Sequence, residues 1–93
     1  MNWSVYMILC SDDSLYTGIT TDVQRRYQQH AGKTGARFFR GRQPKKLVYV
    51  EHGHDRSSAS KREAAIKRLQ RKYKLQLIQS LGNQLEQDKK LHA

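Results

Sequence analysis

Five side chains suited to phosphodiester chemistry follow one another along this sequence. They are the phenols of Tyr6 and Tyr16, the guanidinium of Arg26, the imidazole of His30 and the carboxylate of Glu63. Phenols and imidazoles transfer protons, a guanidinium pairs with phosphoryl oxygens, and a carboxylate is a ligand that Mg²⁺ accepts. The set favours attack on a phosphodiester, provided that the fold brings its members to one surface.

Helical periodicity turns two of these residues towards the interior. Val23 and Tyr27 set the inward stripe of a predicted helix, and at about 100° per residue His30 falls between them. Arg26 lies on the flank of that stripe, whereas Arg25 points nearly the opposite way. A desolvated arginine needs an anion or a hydrogen-bond partner. The alternative is that His30 and Arg26 both sit at the edge of the stripe and reach solvent.

The two tyrosines occur on neighbouring predicted strands. Trp3–Cys10 and Leu15–Thr20 are rich in aromatic and branched residues and form a predicted antiparallel hairpin. Pairing can bring Tyr6 and Tyr16 together, although the sequence does not fix the register. Gly18 opens space beside them, through which a phosphate backbone can approach. The alternative use of a strand tyrosine is cross-strand packing.

Glu63 lies on a long predicted helix, at the border of its inward stripe. It is the only acidic residue between Asp55 and Glu86. The stripe itself consists of Ala59, Arg62, Ile66, Leu69, Tyr73 and Leu77. Glu63 can be a ligand for a divalent cation, or it can form an ordinary surface pair with Lys67 one turn later.

The remaining elements complete a small mixed fold. We expect a third strand at Leu47–Val50 and then a helical stretch capped by Ser57 or Ser58. That stretch should run to about Ser80, with a break near Tyr73.

The first helix should be capped by Thr21 or Asp22 and end near His30. The predicted order is therefore ββαβαα: an α/β (α+β) sandwich with a small three-stranded antiparallel sheet flanked by helices. We expect one domain over residues 1–82 and a polar tail over 83–93.

Charge predicts the partner. Eighteen Lys and Arg against eight Asp and Glu leave a net charge of +10, which attracts polyanions through counterion release. Nucleic acid is the expected partner, with DNA favoured over RNA. The alternatives are a basic soluble surface or a protein associated with RNA or the ribosome. The candidate phosphate-binding residues are Lys33, Arg37, Arg40, Arg42, Lys45 and Lys67.

Cysteine and apolar content point to the cytoplasm. Cys10 is the only cysteine, so no internal disulfide can form, and it reads as a small buried hydrophobe. The longest apolar run, residues 5–10, is far too short to span a membrane. The N-terminal residues lack the pattern of a signal peptide.

Five positions in order resemble the GIY-YIG nuclease superfamily over about residues 3–80, in its small stand-alone bacterial branch. The triplets Ser-Val-Tyr at 4–6 and Tyr-Thr-Gly at 16–18 stand where that family has its two signature triplets. Residues 16–30 look like its turn and first helix, and residues 60–67 are similar to the helix that carries its metal-binding glutamate. Two departures are visible: the first triplet keeps only its tyrosine, and Asn83 is not a secure counterpart of a late family asparagine.

The resemblance implies hydrolysis assisted by one metal ion. Glu63 would hold Mg²⁺ or Mn²⁺, Arg26 would stabilise phosphoryl charge, and Tyr6 or Tyr16 would position or deprotonate the attacking water. His30 would orient the water or a tyrosine, or share the proton transfer. The implied activity is that of a DNA endonuclease or nickase in repair or turnover. The alternative is a nucleic-acid-binding protein on the same fold with little or no cleavage.

Overall fold

The computed structural model describes residues 1–32 and 41–85, which contain three strands and three helices. In chain order these are β1 Trp3–Cys10, β2 Leu15–Thr20, α1 Val23–Ala31, β3 Pro44–His54, α2 Arg56–Lys67 and α3 Arg71–Ile78. The predicted order ββαβαα and the predicted fold class are confirmed. Within the described residues, no helix has the length and apolar character needed to cross a membrane.

The sheet has the strand order β2-β1-β3, with both neighbouring pairs antiparallel. In the β1–β2 hairpin, Tyr6 lies opposite Gly18 and Ile8 lies opposite Tyr16. Tyr6 and Tyr16 are therefore diagonal neighbours on one face, close enough for large side chains to meet. The central position of β1 explains why most of its residues are buried.

Two apolar layers lie on opposite faces of the sheet. Tyr6, Ile8 and Cys10 pack with Val23 of α1, and Tyr27 and Leu85 border this layer. The other face packs Val5, Met7, Val48 and Tyr49 of the sheet against Ala59 and Ile66 of α2. The alternation predicted for β1 thus separates α1 from α2 and α3.

The third strand is longer than predicted. It covers Pro44–His54 instead of Leu47–Val50, and it ends just after Gly53, whose φ is +86°. Because β3 is an edge strand, polar residues and an initial proline are tolerated at its ends. Only its central part carried the apolar pattern that marks a strand.

The second helix begins earlier than predicted. Asp55, rather than Ser57 or Ser58, is its N-cap: the Asp55 carboxylate accepts a hydrogen bond from the Ser58 N–H at 2.7 Å. The Ser58 hydroxyl reaches back to the N–H of Asp55, which completes a capping box.

The break between the last two helices lies at residues 68–70, not near Tyr73. Gln70 adopts an extended conformation as the N-cap of α3. Leu69 and Tyr73, which periodicity placed on the inward stripe, are 36% and 45% exposed. The early break rotates α3, so that Leu77 and Ile78 make its contacts with the core.

Residues 83–85 pack against the sheet, although the sequence pattern placed them in the polar tail. The side-chain amide of Asn83 donates to the carbonyl oxygens of Val48 and Ile78, both at 2.8 Å, and its oxygen accepts from the N–H of Val50 at 3.2 Å. Asn83 therefore joins the end of α3 to the outer edge of β3.

Candidate active site

A buried hydrogen bond between Tyr6 and His30 lies at the centre of the candidate site. His30 is fully buried, as the α1 periodicity predicted, and its Nε2 atom lies 2.9 Å from the Tyr6 hydroxyl oxygen. The packing of α1 across β1, anchored by Val23, delivers the imidazole to the phenol. A buried phenol and a buried imidazole that satisfy each other hold both rings in one orientation.

Tyr16 joins this pair from the neighbouring strand. Its ring centroid is 6.2 Å from that of Tyr6 and 5.2 Å from that of His30. The two phenols also interact electrostatically, since each affects the pKa of the other. Tyr6 is 1% exposed, whereas Tyr16 is only partly buried. The three rings therefore form a cluster with Tyr16 on its solvent side.

Gly18 makes this cluster possible, but for a reason different from the one expected. The space beside it is occupied by the Tyr6 ring rather than left open for a phosphate. A Cβ atom at position 18 would lie 2.6 Å from the Tyr6 hydroxyl oxygen and 3.1 Å from a ring carbon of Tyr16. Only glycine leaves room for the phenol across the strand pair.

Arg26 provides positive charge beside both tyrosines. Its guanidinium lowers the pKa of Tyr6 and, through its charge, that of Tyr16. One guanidinium nitrogen, Nη1, donates to the Gln29 side-chain oxygen at 2.9 Å. Arg26 thus sits at the flank of the inward stripe, as predicted, and Gln29 holds it there.

Glu63 approaches Tyr16 from the other side of the sheet. It belongs to α2, which packs on the face opposite α1, and β2 is the edge strand between them. The negative charge of Glu63 nevertheless acts on the Tyr16 hydroxyl. Lys67 lies 3.6 Å from a carboxylate oxygen of Glu63, which is the surface pair expected at this spacing. Tyr16 on β2 is therefore influenced by the charges of Arg26 and Glu63 together.

Burial shifts the proton affinities of this cluster. It lowers the pKa of His30 to about 4, assisted by the charge of Arg26, so the imidazole is neutral at pH 7. Burial, with a contribution from Tyr16, raises the pKa of Tyr6 well above its usual value, against the opposing effect of Arg26. Burial also raises the pKa of Tyr16, where Arg26 lowers it and Glu63 raises it.

The sequence model of the GIY-YIG catalytic domain matches residues 2–76, which include all five of these side chains. This chain belongs to the GIY-YIG family.

Several small GIY-YIG relatives are similar along most of their length. A UPF0213 protein of Desulfotalea psychrophila is 49% identical over 79 residues, covering 84% of this chain and 72% of the relative. A UPF0213 protein of Clostridium perfringens is 48% identical over 80 residues, covering 86% and 85%. The UPF0213 protein YhbQ of Escherichia coli is 45% identical over 76 residues, covering 82% and 76%.

A solved structure supports the same grouping. The solution NMR structure of the UPF0213 protein BH0048 from Bacillus halodurans superposes with a TM-score of 0.56 at 43% identity. The match covers 88% of this chain and 87% of that one. The compact ββαβαα arrangement is therefore shared with a small GIY-YIG relative.

The basic residues predicted to bind phosphates have different environments in this GIY-YIG chain. Arg42 is paired with Asp12, with 2.9 Å between guanidinium nitrogen and carboxylate oxygen. Lys45 is exposed on β3, and Lys67 faces Glu63. Lys33, Arg37 and Arg40 lie outside the described residues.

A polar network holds α2, the helix that carries Glu63, to the sheet. The Glu51 carboxylate of β3 accepts hydrogen bonds from the Tyr49 hydroxyl at 2.6 Å and from Arg62 Nε at 3.1 Å, and it lies 2.6 Å from His54 Nε2. Arg62 directly precedes Glu63 in α2. The network therefore fixes the part of α2 from which Glu63 extends.

Sequence reasoning missed three residues around the GIY-YIG site. Gln29 holds Arg26, and its position one turn later on α1 was the signal that could have found it. Trp3 and Arg25 line a cleft of about 320 Å³ that Arg26 also borders. No sequence signal reveals that cleft, since it depends on how α1 meets the ends of two strands.

Proposed function

We propose that this protein is a metal-dependent endonuclease that hydrolyses phosphodiester bonds in DNA, by nicking or cutting. The observation that carries the proposal is the position of Tyr16, whose ring lies 6.2 Å from that of Tyr6 and 5.2 Å from that of His30, and whose pKa responds to the charges of both Arg26 and Glu63. Proton-transfer groups, a candidate phosphate-binding cation and a candidate metal ligand therefore act on one partly exposed phenol. Membership of the GIY-YIG family supports nuclease chemistry for this set.

The donor set fits a magnesium-type ion. Mg²⁺ commonly takes one or two carboxylates and completes its shell with water and substrate phosphate. Glu63 offers one carboxylate with a side chain 25% exposed, and its contact with Lys67 is long, at 3.6 Å. Glu63 would hold one Mg²⁺ or Mn²⁺ ion, which supplies positive charge that polarises the phosphate and favours departure of the leaving oxygen.

Arg26 would bind the scissile phosphate beside the phenols. A guanidinium matches phosphoryl oxygens with paired donors. Gln29 restrains it on one side, so the group is oriented before the substrate arrives. Arg26 would therefore stabilise the negative charge that builds on the phosphoryl oxygens.

A phenolate of the tyrosine pair would accept the proton of the attacking water. Each tyrosine affects the pKa of the other, so their ionisations are coupled. Tyr16 is the less buried of the two, and neutral His30 anchors Tyr6 through its Nε2 atom. Since burial raises the pKa of both phenols, formation of the phenolate at neutral pH would require nearby positive charge, which Arg26 supplies.

Supercoiled plasmid DNA provides the test. With Mg²⁺ or Mn²⁺ the protein should convert supercoiled to open-circular DNA, and EDTA should stop the conversion. Glu63→Gln and Arg26→Ala should each lower the nicking rate by at least about a hundredfold, as expected for groups that act on transition-state charge.

Asp13→Asn is a matched control, because it also removes one carboxylate and Asp13 lies in the exposed turn at φ +66°, which asparagine tolerates. It should leave nicking unchanged. If the wild-type protein and Glu63→Gln bind DNA equally and neither cuts, the protein is a binding protein on a nuclease fold. Faster cleavage of RNA of the same sequence would instead reassign the substrate.

A further inference from the structure

A cleft next to Arg26 lies outside the cluster of tyrosines. It occupies about 320 Å³ where the beginning of β1 and the end of β2 meet the N-terminal half of α1. Trp3, Arg25, Arg26 and Gln29 are among its lining residues. Because Arg26 borders both the cleft and the tyrosines, anything bound in the cleft lies beside the proposed scissile phosphate.

The charges of the cleft favour an anion. The charged residues among its lining are two arginines, Arg25 and Arg26, and one acid, Asp22. This carboxylate is already occupied, since it accepts the hydrogen bond of the Arg25 backbone N–H at 3.1 Å as the N-cap of α1. Within residues 1–32 and 41–85, no ion pair to the Arg25 guanidinium is found, and Arg25 is exposed.

An aromatic wall completes the cleft. Trp3 is partly exposed, and the Arg56 guanidinium lies 5.7 Å from the centre of its ring. Trp3 also packs at the margin of the α2-side apolar layer, so it borders both that layer and the cleft. A flat apolar ring next to paired guanidiniums is suited to a nucleobase and its attached phosphate.

Size limits the occupant to a small unit. Ligand sites commonly enclose about 300–1,000 Å³, so this cleft is at the lower end of that range. It is too small for a folded nucleic-acid element but suits one nucleotide of a strand.

We propose that this cleft binds the nucleotide adjacent to the scissile phosphate, with its phosphate on Arg25 and Arg26 and its base against Trp3. This proposal rests on the proposed nuclease function, because the position of the nucleotide is defined relative to the bond that is cut. Trp3 and Arg25 are thus substrate-positioning residues, and a nucleotide held here fixes the strand relative to Tyr16.

Trp3 is the only tryptophan of the chain, so its fluorescence reports on the cleft directly. A short single-stranded oligothymidylate, added in EDTA to prevent cleavage, should quench this fluorescence to saturation. Fluorescence anisotropy of a labelled copy gives total binding independently. Arg25→Ala should weaken the quenching titration by about tenfold, the value of one charge-assisted phosphate contact.

Arg71→Ala is the matched control, since it removes the same charge from the exposed start of α3. It should change the quenching titration by less than about twofold. In the plasmid assay, Arg25→Ala should raise the KM of nicking more than it lowers kcat.

Three results would overturn the proposal: anisotropy that saturates without any change in Trp3 fluorescence, equal losses for Arg25→Ala and Arg71→Ala, or thymidine monophosphate that binds as tightly as the oligonucleotide. The last result would make the cleft a site for free nucleotides. Metal-dependent nicking without quenching would exclude nucleotide binding in the cleft but support the nuclease function. Quenching without metal-dependent nicking would exclude the nuclease function but support a cleft that binds nucleic acid.

Discussion

The Tyr6 phenol is in contact with a glycine on one side and a histidine on the other. Gly18 lies directly opposite it in the hairpin, and His30 Nε2 is 2.9 Å from its hydroxyl oxygen. The missing Cβ and the buried imidazole thus fix the ring together. Adding one carbon atom at Gly18 or one proton at His30 should therefore disturb the site.

Gly18→Ala tests the steric part of this arrangement. The new Cβ would lie 2.6 Å from the Tyr6 hydroxyl oxygen, closer than any non-bonded contact allows, so the ring must move. We expect the free energy of unfolding, measured in urea, to fall by about 1–3 kcal/mol. Gly41→Ala is the control, because nothing lies within 4 Å of its Cβ position, and its unfolding free energy should barely change. Equal effects of the two substitutions would contradict the packing described.

The pH dependence of stability tests whether the His30 imidazole is buried and neutral. Burial lowers its pKa in the folded protein to about 4, whereas an unfolded histidine titrates near 6.5. Between these values the unfolded chain binds the proton and the folded protein does not, so acidification favours unfolding. The free energy of unfolding should therefore fall by about 2–3 kcal/mol between pH 7 and pH 4 because of this residue.

The His30→Gln variant isolates that contribution, since all carboxylates titrate alike in both proteins. Its unfolding free energy should decline less steeply with acidification than that of the wild type. Parallel curves for the two proteins would show that the imidazole is not desolvated.

At the scale of elements, α2 determines where Glu63 lies. A capping box fixes its first turn, and the Glu51 network holds its middle to β3. Burial alone would raise the pKa of Glu51, but hydrogen bonds from Tyr49 and His54 and the charge of Arg62 outweigh it, and the pKa is lowered. The carboxylate is therefore charged at neutral pH and binds its partners as an anion.

Asp55→Ala tests the cap of this helix. It removes the acceptor for the Ser58 N–H, so the urea midpoint should fall by an amount equivalent to about 1 kcal/mol with little change in the denaturant slope. Gln70→Ala at the start of α3 is the control, because the Gln70 side chain makes no capping hydrogen bond. A loss for Gln70→Ala as large as that for Asp55→Ala would mean that the box contributes nothing specific.

For the molecule as a whole, charge dominates the expected behaviour. A net charge of +10 on 93 residues favours polyanions, so the proposed binding of nucleic acid should depend little on sequence. Some of the cations are already paired, as Arg42 is with Asp12, while Lys45 is exposed beside Gln24. Binding should thus depend on the cations that remain available to phosphates.

The salt dependence of DNA binding measures how many cations contact phosphates. Raising the salt from 50 to 200 mM should weaken DNA binding by at least about tenfold, as expected for about two phosphate contacts. Lys45→Ala should reduce the slope of log K against log salt by about one. Gln24→Ala, a neutral change in the same shallow pocket, should leave the slope unchanged. A slope near zero in the wild type would exclude phosphate contacts as the source of affinity.

The sequence by itself determined the first strands, the first helix and the faces they present. β1, β2 and the Asp22 cap of α1 are where the pattern predicted, and His30 is turned inward. These features are local: alternation, helical periodicity and capping chemistry each act over a few residues. The ends of β3 and the break at Gln70 were not visible, because edge strands and helix breaks depend on neighbours distant in sequence.

Only the tertiary structure decided how the five side chains meet. The register that places Gly18 under the Tyr6 ring is one of several that the hairpin sequence permits. The charge of Glu63 acts on Tyr16 from the opposite face of the sheet, where β2 is the edge strand. The cleft between Trp3 and Arg25 exists only once α1 lies against the strand ends. Such contacts join residues far apart in sequence, and their distances are set by packing, which no local pattern encodes.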